Sequence, residues 1–166
     1  MYVEEGLNKQ VFELFLIFSR LEYALTRVSG FARGADGGPV YGDWQKLAER
    51  LGQEFFDVQK ADPAKTILWN APPGRWTVTF DALGKLVPEW RARQAPAELR
   101  LSFEPVSWVR NCVIHGESQD MVPRYEQLVT AAVAVLGSSV EACMERADLE
   151  EIAARYTEAR IQEPSH

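Results

Sequence analysis

The sequence predicts an all-α domain, a bundle of four or five helices with an irregular insertion around residues 62–94. Two observations support this fold class. Apolar residues recur at three- and four-residue steps through several long segments, as they do in amphipathic helices. Prolines and glycines that break helices are concentrated in the middle of the chain. Because the 166 residues contain no repeat and no linker, we treat 1–166 as one domain.

Two long helices are predicted, one near each end of the chain. The first covers residues 7–28 and ends before Gly30, and a glycine-rich loop follows over residues 30–42. Its apolar stripe consists of Val11, Leu14, Phe15, Phe18, Leu21, Leu25 and Val28. The other begins near Pro123, and its stripe consists of Tyr125, Leu128, Val129, Ala132, Leu136, Val140 and Cys143. These stripes are expected to form the core.

Shorter helices are predicted from their capping residues. Asp43 can cap a helix over residues 44–60, with Leu47, Leu51, Phe55 and Val58 facing inward. Ser102 can cap a helix that runs to about His115, where Gly116 ends it. A closing helix is expected over residues 148–161.

The insertion has a different character. Residues 66–69 and 75–79 are rich in β-prone side chains and flank the turn-forming run 71–74, which favours a short hairpin between them. Residues 81–94 contain Gly84 and Pro88, so we expect at most a broken helix there.

The composition limits the functions to be considered. The formal net charge is −6, whereas proteins that grip nucleic acid over a wide surface are usually basic, so any RNA binding should be local. The two cysteines form neither a disulfide framework nor a zinc pattern, and no metal or cofactor is expected. We find no signal peptide and no segment that would span a membrane. The expected location is the cytoplasm.

The chemically suggestive segment is Arg110-Asn111-Cys112-Val113-Ile114-His115. Of the two histidines, His166 is the last residue, which leaves His115 as the one interior side chain that ordinarily titrates near neutral pH. Asn111 and His115 are four residues apart, so they share a helix face. Arg110 lies about 140° around an ideal helix from His115.

These residue types suit phosphodiester chemistry. An imidazole can accept or donate the proton of a reacting oxygen, and a guanidinium can stabilise phosphate charge. An amide can orient either group. Without a cluster of metal ligands the reaction would be metal-free, and RNA would supply its own 2′-hydroxyl nucleophile.

The run Arg110-Asn111-Cys112-Val113-Ile114-His115-Gly116 resembles the signature of the HEPN superfamily, which lies on one helix of an α-helical bundle. The resemblance implies a metal-independent endoribonuclease with Arg110, Asn111 and His115 as catalytic residues. It also implies dimers in which two motifs face one cleft, and a place in toxin–antitoxin or phage-defence systems. A partner antitoxin or nucleotidyltransferase would then be expected. Some members of the superfamily are catalytically silent modules.

The superfamily often has a polar or acidic residue on its first helix near the site, and Glu22 is the candidate here. It interrupts the apolar stripe of the first helix, so its carboxylate should need a partner. We predict that this partner is Arg110, which would give Glu22 a supporting role behind the motif.

Several alternatives remain open at this stage. We expect a homodimer formed through the motif helix and its neighbours, because one Arg and one His make a thin active site. A silent module that binds a partner protein or a nucleotide is the main alternative, and an unrelated helical protein with an accidental motif is another. Arg91, Arg93 and Arg100 form a basic cluster that could touch RNA or simply face solvent.

Overall fold

The computed structural model describes residues 2–115 and 124–159. Within these ranges the chain is mostly helical, with seven α-helices and two small antiparallel sheets. This confirms a mainly helical fold with a β insertion. The elements in chain order are α1 Tyr2–Arg27, β1 Ala32–Arg33, β2 Tyr41–Gly42, α2 Trp44–Leu51, α3 Gln53–Ala61, α4 Ile67–Asn70, β3 Arg75–Phe80, β4 Leu86–Arg91, α5 Glu104–His115, α6 Tyr125–Glu145 and α7 Glu150–Glu158.

The core lies where α1, α6 and α7 pack against one another, with α4 and α5 also against α6. The stripes predicted from periodicity are the buried faces. Leu14, Leu21 and Leu25 of α1 are fully buried, as are Leu128 and Leu136 of α6. The burial of these leucines supplies the main driving force for bringing the two ends of the chain together.

The helix predicted over residues 44–60 is instead two helices, α2 and α3. Its predicted cap is present, since the Asp43 carboxylate accepts a hydrogen bond from the Lys46 amide at 3.0 Å. The break falls at Gly52, whose φ of +89° lies in the region that favours glycine. This break changes the buried face, so that Val58, predicted to face inward, is 63% exposed and Phe56 is fully buried instead.

The predicted strand at residues 75–79 forms, but it pairs with a later segment of the chain than predicted. Residues 66–69 do not pair with residues 75–79 but contribute to the helical turn α4. The strand β3 pairs with β4, inside the segment predicted to be a broken helix, in a register that sets Trp76 opposite Trp90. Gly84 is part of the connecting turn, with a φ of +75°. Of the two residues that looked like helix breakers, Gly84 lies in the turn that joins the strands, and Pro88 lies inside β4 opposite Val78.

The remaining predicted boundaries shift by a few residues. The Ser102 hydroxyl is buried without a hydrogen-bond partner among the described residues, so it does not cap α5, which begins at Glu104 after a 3₁₀ turn over Leu99–Leu101. The loop 30–42 contains the paired strands β1 and β2. The closing helix α7 ends at Glu158, and the predicted remainder of it lies largely outside the described residues.

One described helix, α6, is long and apolar enough to cross a membrane by length and composition. Half of its apolar window is buried inside the protein, where it contacts α1, α4, α5 and α7. Its apolarity is therefore explained by its central place in the core.

We predict that both thiols are unreactive in the native protein. Cys112 and Cys143 are buried, and burial raises the pKa of the Cys143 thiol to about 11. At pH 8 only about one Cys143 in a thousand would then be a thiolate, the reactive form. Labelling with a thiol-specific reagent should be slow in buffer and should give two groups per chain in denaturant. Rapid labelling of either cysteine without denaturant would contradict the buried placement.

Candidate functional site

The three predicted catalytic residues lie on the C-terminal half of α5. The buried face of this helix, formed by Val106, Val109 and Cys112, packs into the core. Arg110 follows Val109 and is half-buried at the edge of that face, whereas Asn111 and His115 are exposed. The apolar spacing of α5 thus fixes which motif residues can reach solvent.

Arg110 is held by two contacts. Its guanidinium lies over the ring of Phe18 on α1, with 4.4 Å from Cζ to the ring centroid. Its Nε and Nη2 donate to Asn111 Oδ1 at 3.2 and 2.8 Å. Of the five N–H donors of an arginine, two are used in this way, and the other three have no partner among the described residues. The side chain is therefore oriented and still able to bind an anion.

The structure does not form the predicted ion pair between Glu22 and Arg110 within the chain. Glu22 Oε1 accepts a hydrogen bond from the Gly42 amide at 2.7 Å, and Oε2 accepts a hydrogen bond from the indole N–H of Trp44. The Glu22 carboxylate does have hydrogen-bond partners, as its place on the apolar stripe predicted, but they are a backbone amide and an indole.

An aromatic contact nonetheless connects Glu22 to the motif indirectly. The Trp44 ring, held by Glu22, stacks on Phe18 with centroids 4.6 Å apart and planes 24° from parallel. Phe18 is the same ring on which the Arg110 guanidinium lies. Glu22 is therefore placed to influence the orientation of Arg110 through two rings, without touching it.

His115 is the last residue of α5 and stands apart from the other two motif residues. Its side chain forms no hydrogen bond or ion pair with another described residue, and it lies one turn, about 6 Å along the axis, beyond Asn111. The residues that follow it, 116–123, lie outside the described ranges. The structure thus brings Arg110 and Asn111 together and leaves His115 on the neighbouring turn.

An open groove of about 610 Å³ lies beside the motif and reaches it at Asn111. One wall comes from α5 and the other from the base of the β3–β4 hairpin and the chain that follows it. The lining residues are Arg75, Arg91, Ala92, Arg93, Gln94, Glu104, Ser107, Trp108 and Asn111.

The groove is locally basic although the chain as a whole is acidic. Three arginines line it against one glutamate, and strand register sets Arg75 directly opposite Arg91. Of the three, Arg91 is paired with the Glu89 carboxylate at 2.8 Å. Arg93 lies over the Trp108 ring at 4.7 Å, and the indole N–H of Trp108 donates to Glu104 at 3.1 Å. This combination of guanidinium groups and an aromatic ring suits a phosphate chain with stacked bases.

Only part of this groove was predicted from the sequence. Of the predicted basic cluster, Arg91 and Arg93 line it, whereas Arg100 does not and is paired with Glu98 at 2.8 Å. Arg75 was missed because its place opposite Arg91 depends on a strand pairing that the sequence did not reveal.

In residues 2–115 and 124–159, no group of three or more His, Cys, Asp or Glu side chains lies close enough together to hold a metal ion.

Comparison with protein-family models, with curated proteins and with solved structures finds no match to this chain. The interpretation of the site therefore depends on its own residues.

We predict that Glu22→Gln destabilises the protein by about 1–3 kcal/mol, because an amide offers one acceptor oxygen where a carboxylate now accepts two hydrogen bonds. The free energy of unfolding from urea titration measures this effect. Glu13→Gln, an exposed change on the same helix, should shift it by no more than about 0.5 kcal/mol. Equal effects of the two substitutions would contradict a structural role for Glu22.

Proposed function

We propose that this chain is a metal-independent endoribonuclease of HEPN type, acting as a toxin or as part of a defence system. The observation that carries the proposal is the basic groove that meets α5 at Asn111, beside an oriented Arg110. Although the chain as a whole is acidic, this groove offers a local basic surface for a phosphate chain next to the motif.

The proposed reaction uses only groups of the RNA and of the motif. His115, as general base, removes the proton of a 2′-hydroxyl, and that oxygen attacks the adjacent phosphorus. The bond to the 5′-oxygen breaks, which leaves a 2′,3′-cyclic phosphate and, after protonation, a 5′-hydroxyl end. Arg110 stabilises the charge on the phosphate oxygens, and Asn111 keeps the guanidinium in place.

Two copies of the motif are proposed to serve one cleft in a homodimer. A single chain offers one Arg110 and one His115, about one and a half helical turns apart on α5. A twofold axis beside the helix would let the arginine of one copy act with the histidine of the other. An antitoxin or nucleotidyltransferase partner remains part of this proposal.

A second candidate is a catalytically silent module that binds RNA, a nucleotide or a partner protein. The separation of His115 from the groove favours it, since Asn111 is the only motif residue among those that line the groove in the described chain. The two candidates differ in one measurement, cleavage of RNA by the purified protein in the presence of EDTA.

We predict that Arg110→Ala and His115→Ala each abolish cleavage of a mixed RNA pool while the fold stays intact. His115 is exposed, and Arg110 contributes one cation–π contact, so the losses of stability should be at most about 1 kcal/mol. Product analysis by gel, with circular dichroism on each variant, tests both statements.

Retained cleavage in either variant would refute the catalytic assignment. Absence of cleavage by the wild-type protein, together with intact RNA binding, would instead support the silent module. Exposed His115→Gln serves as a further comparison, because it keeps hydrogen-bonding capacity but cannot act as a general base near neutral pH.

We predict that Arg75→Ala weakens binding of single-stranded RNA by about five- to tenfold and lowers its salt dependence, because one phosphate contact is lost. Arg100→Ala is the matched control, since this exposed arginine lies outside the groove and is paired with Glu98. Fluorescence anisotropy at several salt concentrations measures both. Equal effects of the two substitutions would show that the groove is not the RNA site.

A further inference from the structure

The β3–β4 hairpin has one entirely apolar face. Strand alternation and register place six side chains on it, which we call the apolar hairpin face: Trp76, Val78, Phe80, Leu86, Pro88 and Trp90. Val78 is 68% exposed and Phe80 70%, and Leu83 in the connecting turn is 93% exposed. The charged residues Arg75, Glu89 and Arg91 lie on the opposite face.

This hairpin has little support from the rest of the described chain. Its extensive contacts are between its own two strands, and it is anchored at its base, where Trp90 and the Cys112 thiol meet the backbone of Gly74. A two-stranded hairpin alone is marginally stable in water, and it gains stability when its apolar face packs against another layer. We therefore expect another surface to pack against the apolar hairpin face.

We infer that a second copy of this chain covers the apolar hairpin face, hairpin against hairpin across a twofold axis. The face holds no charged side chain, so two copies can pack face to face without burying charge. The product would be a small four-stranded sandwich with sheets about 10 Å apart.

The available area fits such a contact. Five strongly exposed apolar side chains lie on the face and in the turn: Trp76, Val78, Phe80, Leu83 and Leu86. Aromatic side chains have about 150–250 Å² of surface, and Val and Leu have somewhat less. With exposed fractions between 47% and 93%, the five side chains offer roughly 600–700 Å² per copy. A standard stable interface buries about 800 Å² per partner, so this surface accounts for most of a dimer contact.

A bilayer is a poorer cover than a second copy. Each strand of a two-stranded sheet has one edge with unpaired backbone groups, which hydrocarbon cannot satisfy. Face-to-face packing of two hairpins leaves those edges in water. The inference rests on the hairpin alone, and this contact is distinct from the motif cleft proposed above, because Arg75 and Arg91 of the groove lie on the opposite face of the hairpin. A chain that makes both twofold contacts would assemble beyond a dimer.

The test compares two substitutions on adjacent residues of β3 in the full chain. Val78→Glu places a charge at the centre of the face and opposite its own copy, and it should weaken the dimer by at least about a hundredfold. Thr79→Glu places the same charge on the other face and should leave the dimer intact. Light scattering over a range of micromolar concentrations, with circular dichroism on each variant, measures both.

A second pair of variants keeps the test decisive if Val78→Glu fails to fold. Because both described native cysteines are buried, Val78→Cys should form an intermolecular disulfide under mild oxidation, whereas Thr79→Cys should not. The inference is overturned if the wild-type protein is monomeric at all concentrations, or if Val78→Glu leaves the oligomeric state of the wild-type protein unchanged. A monomer that floats with phosphatidylcholine vesicles would identify a membrane surface instead. His115→Ala should remain dimeric, which separates this inference from the proposed activity.

Discussion

The stack of Phe18 on Trp44 is the contact on which the arrangement of the site depends. It joins α1 to the start of α2, and the edge of Trp44 also meets Phe103, just before α5, with centroids 5.2 Å apart. Phe103 in turn meets Phe56 of α3 at 5.3 Å. Rings from α1, α2, α3 and the turn before α5 therefore converge on one aromatic cluster. Such ring pairs add about 0.5–1.5 kcal/mol each to the free energy gained by burying their area, and their geometry restricts how α1 and α5 can approach.

This cluster explains why Glu22 and Arg110 are both close to the site without forming a pair. Each interacts with the stack at a different ring, Glu22 through the Trp44 indole and Arg110 over the face of Phe18. A carboxylate bound directly to the guanidinium would occupy N–H donors that are otherwise open to an anion. The aromatic ring orients the guanidinium without using any of its N–H groups, and the cation–π contact leaves the charge in place for an anion.

The features that the sequence revealed are those encoded in local periodicity. The stripes of α1 and α6 repeat over five or more turns, so their burial could be predicted without any knowledge of partners. The break at Gly52 could not, because one glycine within an otherwise helical pattern is usually tolerated and only tertiary packing decides its φ. The pairing of β3 with β4 was likewise hidden, since Gly84 and Pro88 are compatible with a strand edge as well as with a broken helix. With that pairing unknown, Arg75 had no visible connection to Arg91, and the groove could not be predicted.

The negative net charge of the chain and the positive charge of the groove act over different distances. At physiological ionic strength, charges more than about 8–10 Å apart are largely screened, so the net charge of −6 has little effect on an anion inside the groove. An anion inside the groove would be influenced mainly by the charged residues that line it, which are Arg75, Arg91, Arg93 and Glu104. The ribonuclease proposed above, with its negative net charge, would gain little from electrostatic steering and would bind nucleic acid weakly outside the groove. On that proposal, the chain would retain affinity only for a strand that enters the groove.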